Sequence, residues 1–157
     1  MRVLYKKRLP YSTGRILSQY FDLEHIVYVH PRTFGEARLL TVGENRVVWD
    51  LLTPPVLGLR LRNLIVQELF PPLRIRTRVL KGPLRGVEVS TVLVECGEET
   101  MVEEAYSLPL PSWSWLTALI GRWVERRADR IWEEDLRVGV CHGGWPGVPG
   151  PAKAAEV

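Results

Sequence analysis

The chain has 157 residues, 46% of them hydrophobic and 25% charged, with a formal net charge of +3; one globular domain with a sizeable core is the natural reading. The charge excess is small, and no lysine-rich run or nucleic-acid motif accompanies it, which excludes a phosphate-tracking groove. No apolar run is long enough to cross a bilayer, the stretch from Met1 to Arg8 lacks the apolar core of a signal peptide, and Cys96 and Cys141 have neither metal nor redox spacing, so a cytoplasmic protein without a disulfide framework is expected.

Residues 2–9 mix apolar and basic positions and read as a first strand that Pro10 ends. Ser12-Thr13-Gly14 then offers a helix start, and Ile16, Leu17, Tyr20 and Phe21 recur at helical spacing. A second short helix is expected from Asp22 to about Tyr28, stopping before Pro31.

From residue 35 the hydrophobic period changes to two. Ala37–Val42 and Arg46–Leu52 read as strands across the turn cluster Gly43-Glu44-Asn45, and Thr53-Pro54-Pro55 breaks the second. Leu59–Leu69 alternates for much of its length, and Phe70-Pro71-Pro72 closes it. Leu73–Val79 alternates most cleanly, with Arg74, Arg76 and Arg78 on one face and apolar residues on the other. Val87–Glu95 and Met101–Leu108 form a hairpin across Gly97-Glu98-Glu99. The arginines, with Arg60 and Arg62, read as a solvated sheet face paired with acids such as Glu88 and Glu103.

Pro109 and Pro111 end the strands, and Ser112 can cap a helix running to about Val138. Leu116, Ile120, Val124, Ala128, Ile131 and Asp135 fall on one stripe of it. The aromatic run Trp113-Ser114-Trp115-Leu116 is expected to pack over the sheet's open end. Residues 139–157, rich in Gly, Pro and Ala, read as a flexible tail, leaving 1–138 as the domain.

This order predicts an α+β fold in which a curved antiparallel sheet of six to seven strands wraps the long C-terminal helix, with two short helices after the first strand. One helix cannot fill the concave side of so wide a sheet, so a hydrophobic ligand cavity follows, with Trp49, Tyr106 and Trp123 as lining candidates.

Two of the three histidines, His25 and His30, stand five apart, and Asp22 precedes the first by three. On a helix Asp22 and His25 share a face, so the carboxylate could orient the imidazole. Asp135, in line with Ile131, Ala128 and Val124, should face the sheet and needs a cation or hydrogen bonds there. Its neighbours Glu133 and Glu134 rotate off the stripe toward water. Two imidazoles and one carboxylate form the facial set suited to non-haem iron(II), and the same set could hold zinc. His142 is a solvated tail residue on this reading.

The element order, Asp22-x-x-His25-x-x-x-x-His30 with the following Pro31-Arg32-Thr33-Phe34-Gly35, and Glu134-Asp135 together resemble a START-type (SRPBCC, helix-grip) domain. Within that superfamily they resemble the catalytic domain of Rieske non-haem iron oxygenases. The resemblance implies His25, His30 and Asp135 as ligands, with Asp22 behind them. The two Cys-x-His/Cys-x-x-His half-motifs of a Rieske cluster are missing, so an oxygenase would need a separate redox partner or an electron-supplying co-substrate. The competing reading is a metal-free carrier or cyclase-like protein for a lipid, isoprenoid or aromatic polyketide. A third is a partner-binding subunit that uses the arginine face.

Overall fold

Period-two segments make the sheet and the two period-3.6 regions cover it. In the computed structural model, which describes residues 1–53, 59–111 and 113–138, the chain runs β1 (Arg2–Leu9), α1 (Thr13–Phe21), α2 (Leu23–Val29), α3 (Pro31–Phe34), β2 (Glu36–Gly43), β3 (Arg46–Leu52), β4 (Arg62–Phe70), β5 (Arg74–Lys81), β6 (Glu88–Cys96), β7 (Glu99–Ser107) and α4 (Ser114–Val138). The expected tail with Cys141 and His142, the break at Pro54-Pro55, the Ser112 cap and the Leu116 side chain lie outside the described residues and atoms.

All seven strands pair antiparallel in the order β1-β7-β6-β5-β4-β3-β2. The three helices between β1 and β2 carry the chain from one edge of the sheet to the other. Register shifts between Leu39 and Thr41 and between Leu64 and Ile65 add local twist, which a sheet this wide needs in order to curl. The Gly97-Glu98 turn closes β6 onto β7, and Gly97 takes a positive φ of 73° that a side chain would strain.

Two differences from the sequence expectation concern the connections. Three helices, not two, follow β1, because Pro31 starts a further turn at its first position, where a missing N–H is harmless. β4 begins at Arg62 rather than Leu59.

The strand register assigns the concave face: Val3, Tyr5 and Leu9 of β1; Val47, Trp49 and Leu51 of β3; Ile65 and Gln67 of β4; Ile75, Thr77 and Val79 of β5; Val89, Thr91 and Leu93 of β6; and Val102, Glu104 and Tyr106 of β7. One end of that face is packed. Leu9, Ile75, Leu93 and Val102 are buried there against Ile16, Leu17 and Phe21 of α1 and Ala128 and Trp132 of α4. Full burial of each valine, leucine, isoleucine or phenylalanine among them contributes about 1.5–3 kcal/mol.

The other end is not sealed. Ile65, Thr77, Val79, Val89 and Tyr106 face inward yet are only half-buried. On the N-terminal half of α4, Leu119 and Trp123 are 62% and 58% exposed. Trp113 and Trp115 are 58% and 64% exposed and stack on one another, so they do not pack over the sheet as expected. Trp115 lies nine residues before Val124, about half a revolution away on the helix. The sheet's outer face carries the arginines, paired as Arg76–Glu88, Arg78–Glu68 and Arg62–Asp50, while Glu103 pairs with Lys6 instead.

Candidate functional site

Three elements bring the predicted ligand residues together. His25 is the third residue of α2, whose N-cap is Asp22; the Asp22 carboxylate accepts the main-chain N–H of His25 at 3.1 Å. The expectation that Asp22 orients the imidazole is therefore corrected. A capping carboxylate must turn toward the free backbone N–H groups of the first turn, and that geometry takes it away from the ring.

In a continuous helix, residues five apart would diverge by about 140° around the axis. The chain leaves the helix at His30, with φ −116° and ψ 47°, before Pro31 starts α3. That break lets the His30 ring fold back to His25, with centroids 5.2 Å apart and planes at 79°.

Asp135 completes the group from α4. Its Oδ1 lies 2.8 Å from His25 Nε2 and 2.9 Å from His30 Nε2. The three candidate ligand atoms all fall within 4.8 Å of one another. His25, His30 and Asp135 are 2–3% exposed, so the cluster is enclosed rather than open to the recess. Phe34 contributes to that closure with its ring edge-on to His30, centroids 5.9 Å apart.

Glu134 was expected in water. Instead its side chain is only 20% exposed and its Oε2 stands 3.0 Å from Nδ1 of His30. Both His30 nitrogens thus face carboxylates. Burial pulls this imidazole's pKa down, but bonds to Asp135 and then Glu134 outweigh it and leave the pKa raised. Burial pushes Asp135 up, and the two imidazoles outweigh that and hold it below the usual carboxylate range.

The donor set suits a small divalent cation on two counts. Ligand atoms within hydrogen-bonding reach of a common point are already gathered, and Glu134 can accept Nδ1–H from a neutral His30 whose Nε2 faces inward, as metal-bound histidines require. Nδ1 of His25, buried without a partner among the described residues, lacks that support.

A second polar group lies on the concave face, unannounced by the histidine motif. The Glu104 carboxylate is buried and accepts Tyr20 Oη at 2.7 Å on one oxygen and Tyr106 Oη at 2.6 Å on the other. Burial raises its pKa, and the two hydroxyls offset only part of that. The alternation Val102-x-Glu104-x-Tyr106 on β7 was the available signal, since it places Glu104 inside. Trp49 is 4% exposed and its indole N–H is buried without a partner among the described residues.

Of the three proposed lining residues, Trp49 and Tyr106 face inward. Trp123 does not join them: it lies one residue, about 100° around the helix, from buried Val124, and its ring packs instead against the Arg127 guanidinium, 5.4 Å from its centroid.

No protein-family model and no curated protein matches the chain. Solved structures do. TTHA0849 from Thermus thermophilus superposes with a TM-score of 0.69 at 19% identity, covering 88% of this chain and 99% of that one. The ZhuI aromatase/cyclase from a Streptomyces species gives 0.69 at 15% identity, covering 91% and 98%. A START superfamily protein from Mycobacterium smegmatis gives 0.62 at 15% identity, covering 88% and 96%. At these identities the likeness establishes the fold, which is the START-like helix grip. Among the described residues, no helix is long and apolar enough to cross a membrane.

Proposed function

We propose that the protein binds a hydrophobic small molecule in the recess between the unsealed end of the sheet and α4, as a carrier or a cyclase-like protein. One observation carries this reading. Five inward-facing positions (Ile65, Thr77, Val79, Val89 and Tyr106) remain half-buried beneath a helix long enough to cover them. Apolar surface left accessible inside a grip costs stability unless something fills it, and an apolar ligand is the natural filler.

The buried polar groups along the recess fit recognition of a ligand with a few oxygens. Trp49 offers an N–H that has no partner among the described residues, and the Glu104 carboxylate with two phenols offers a proton-holding cluster. A ligand carbonyl accepting the Trp49 N–H would satisfy the orphan donor. The aromatase/cyclase and START proteins of like fold support the class of ligand, an oily molecule with sparse polar groups.

Native mass spectrometry of the purified protein tests the reading. A mass excess that extracts into organic solvent is expected. A clean apo mass, together with no binding of apolar fluorescent probes, would remove it.

A second reading has its own observation, the gathered His25, His30 and Asp135. Those three residues would hold iron(II) or zinc, with Glu134 fixing the His30 tautomer. Such an ion supplies Lewis acidity or an activated water. The oxygenase form of this reading rests on the two short motifs alone, since the like-folded proteins described above include a cyclase and a START protein but no Rieske oxygenase. Elemental analysis of wild type and His25→Ala tests the site: about one ion per chain in the first and none in the second is expected, and no ion in either removes it.

A further inference from the structure

Arg127 is the one α4 arginine drawn into the fold by its contacts. Its guanidinium donates through Nη2 to the Thr33 carbonyl at 3.2 Å and lies 5.9 Å from the Phe34 ring and 5.4 Å from the Trp123 ring. Among the described residues no carboxylate stands within ion-pair distance of it, whereas Arg62, Arg76 and Arg78 of the outer sheet face each have one. The nearby acids are committed elsewhere: Glu104 to two tyrosines, Glu134 and Asp135 to the histidines, Asp129 to Lys7 and Tyr5. Burial lowers its pKa; the nearby Tyr106 phenol opposes that shift, and Arg130 adds to it.

A guanidinium packed between two aromatic rings and a single carbonyl leaves most of its five donors unused. Such a half-buried cation is costly without a counter-charge, and the position between α3, Trp123 and inward-facing Tyr106 is the rim of the recess. We propose that Arg127 binds the carboxylate of an acidic ligand whose apolar body fills the recess. This rests on the hydrophobic-ligand reading above and adds the ligand's polar end. A monoanion fits better than a phosphate dianion, because a single guanidinium neutralises one charge and the adjacent Arg130 is exposed. The Phe34 ring, 5.9 Å from the guanidinium, borders the pair on the α3 side, and the partial burial of Arg127 strengthens it.

The test compares two fluorescent probes with the same body, anthroyloxy-labelled stearic acid and its methyl ester, on the full chain at neutral pH. Wild type should bind the acid at least about tenfold more tightly than the ester, as one charge-assisted pair supplies. Arg127→Met should abolish that preference while leaving ester affinity within about twofold, and Arg127→Lys should keep part of it, which also covers a failure of the methionine variant to fold. Equal affinity for acid and ester in wild type, or an acid preference that survives in Arg127→Met, overturns the proposal and leaves the ligand reading intact. Binding of neither probe overturns both. Dodecyl phosphate displacing the probe better than dodecanoate would overturn the choice of carboxylate.

Discussion

Glu134 and His30 stand 3.0 Å apart, oxygen to Nδ1, while the very next residue, Asp135, meets the other side of the same ring. Two adjacent carboxylates on one helix thus grip one imidazole from both edges. If an ion occupies the gap between His25, His30 and Asp135, Glu134 should behave as the residue that orients a ligand without touching the metal. Glu134→Gln is then expected to weaken cobalt or zinc binding by about 10–100-fold, and Asp135→Asn to abolish it. Titration followed by cobalt absorption checks this. Equal, undiminished binding in both variants would place the ion elsewhere.

Asp22 has a smaller, separable role. Since its carboxylate accepts a main-chain N–H at the start of α2, Asp22→Ala should cost about 1 kcal/mol of stability in urea unfolding. Asp22→Ser or Asp22→Asn should restore most of it. Neither restoring change preserves a carboxylate, so rescue by serine distinguishes a cap from a partner of the ring.

Much of this architecture was legible because its signals are local. Arginine alternation from Arg74 to Arg78 assigns a strand face without reference to any neighbour, and Val124, Ala128 and Asp135 keep helical phase over eleven residues. The convergence of His25 and His30 was legible as proximity in sequence, with Pro31 marking the break that turns one ring back. What stayed hidden depends on packing between distant elements. Trp132 is buried because α1 lies beside it, with Tyr20 edge-on at 6.0 Å, whereas Trp123 is not. Helical phase favours Trp132, four residues from buried Ala128, over Trp123, but only the neighbouring α1 accounts for its near-complete burial. Glu134 lies off the buried stripe and would be solvated if α2 and α3 did not bring His30 alongside it.

Glu104 should leave a signature in pH-dependent stability. Its pKa is raised by burial, so the folded state holds the proton more tightly than the unfolded chain. The stabilisation this provides is complete below the unfolded value, about 4.3, and is lost as pH rises through the folded value. Wild type should therefore lose stability with rising pH above the unfolded carboxylate value, a slope that Glu104→Gln reduces, leaving the part that the raised His30 contributes above about 6.5. Tyr20→Phe and Tyr106→Phe each take away a donor to the carboxylate, should raise the folded pKa further, and should extend the slope upward. Urea midpoints measured between pH 4 and 8 check it; identical slopes in wild type and Glu104→Gln would sink the assignment.

The two ends of the concave face make opposite predictions about added volume. At the packed end Val102 is 0% exposed between Leu9, Leu93 and the helices, so Val102→Phe has no room and should cost about 1–3 kcal/mol through overpacking. At the unsealed end Val89 faces the same way but is half-buried. Val89→Phe should keep the wild-type unfolding midpoint, because its ring enters space the helix leaves free, and should instead weaken binding of an apolar probe at least about tenfold. Pairing the two variants separates a recess from a loosely packed core. A loose core would absorb both rings with little cost to stability or binding, whereas a recess requires that stability fall only for Val102→Phe and probe affinity only for Val89→Phe.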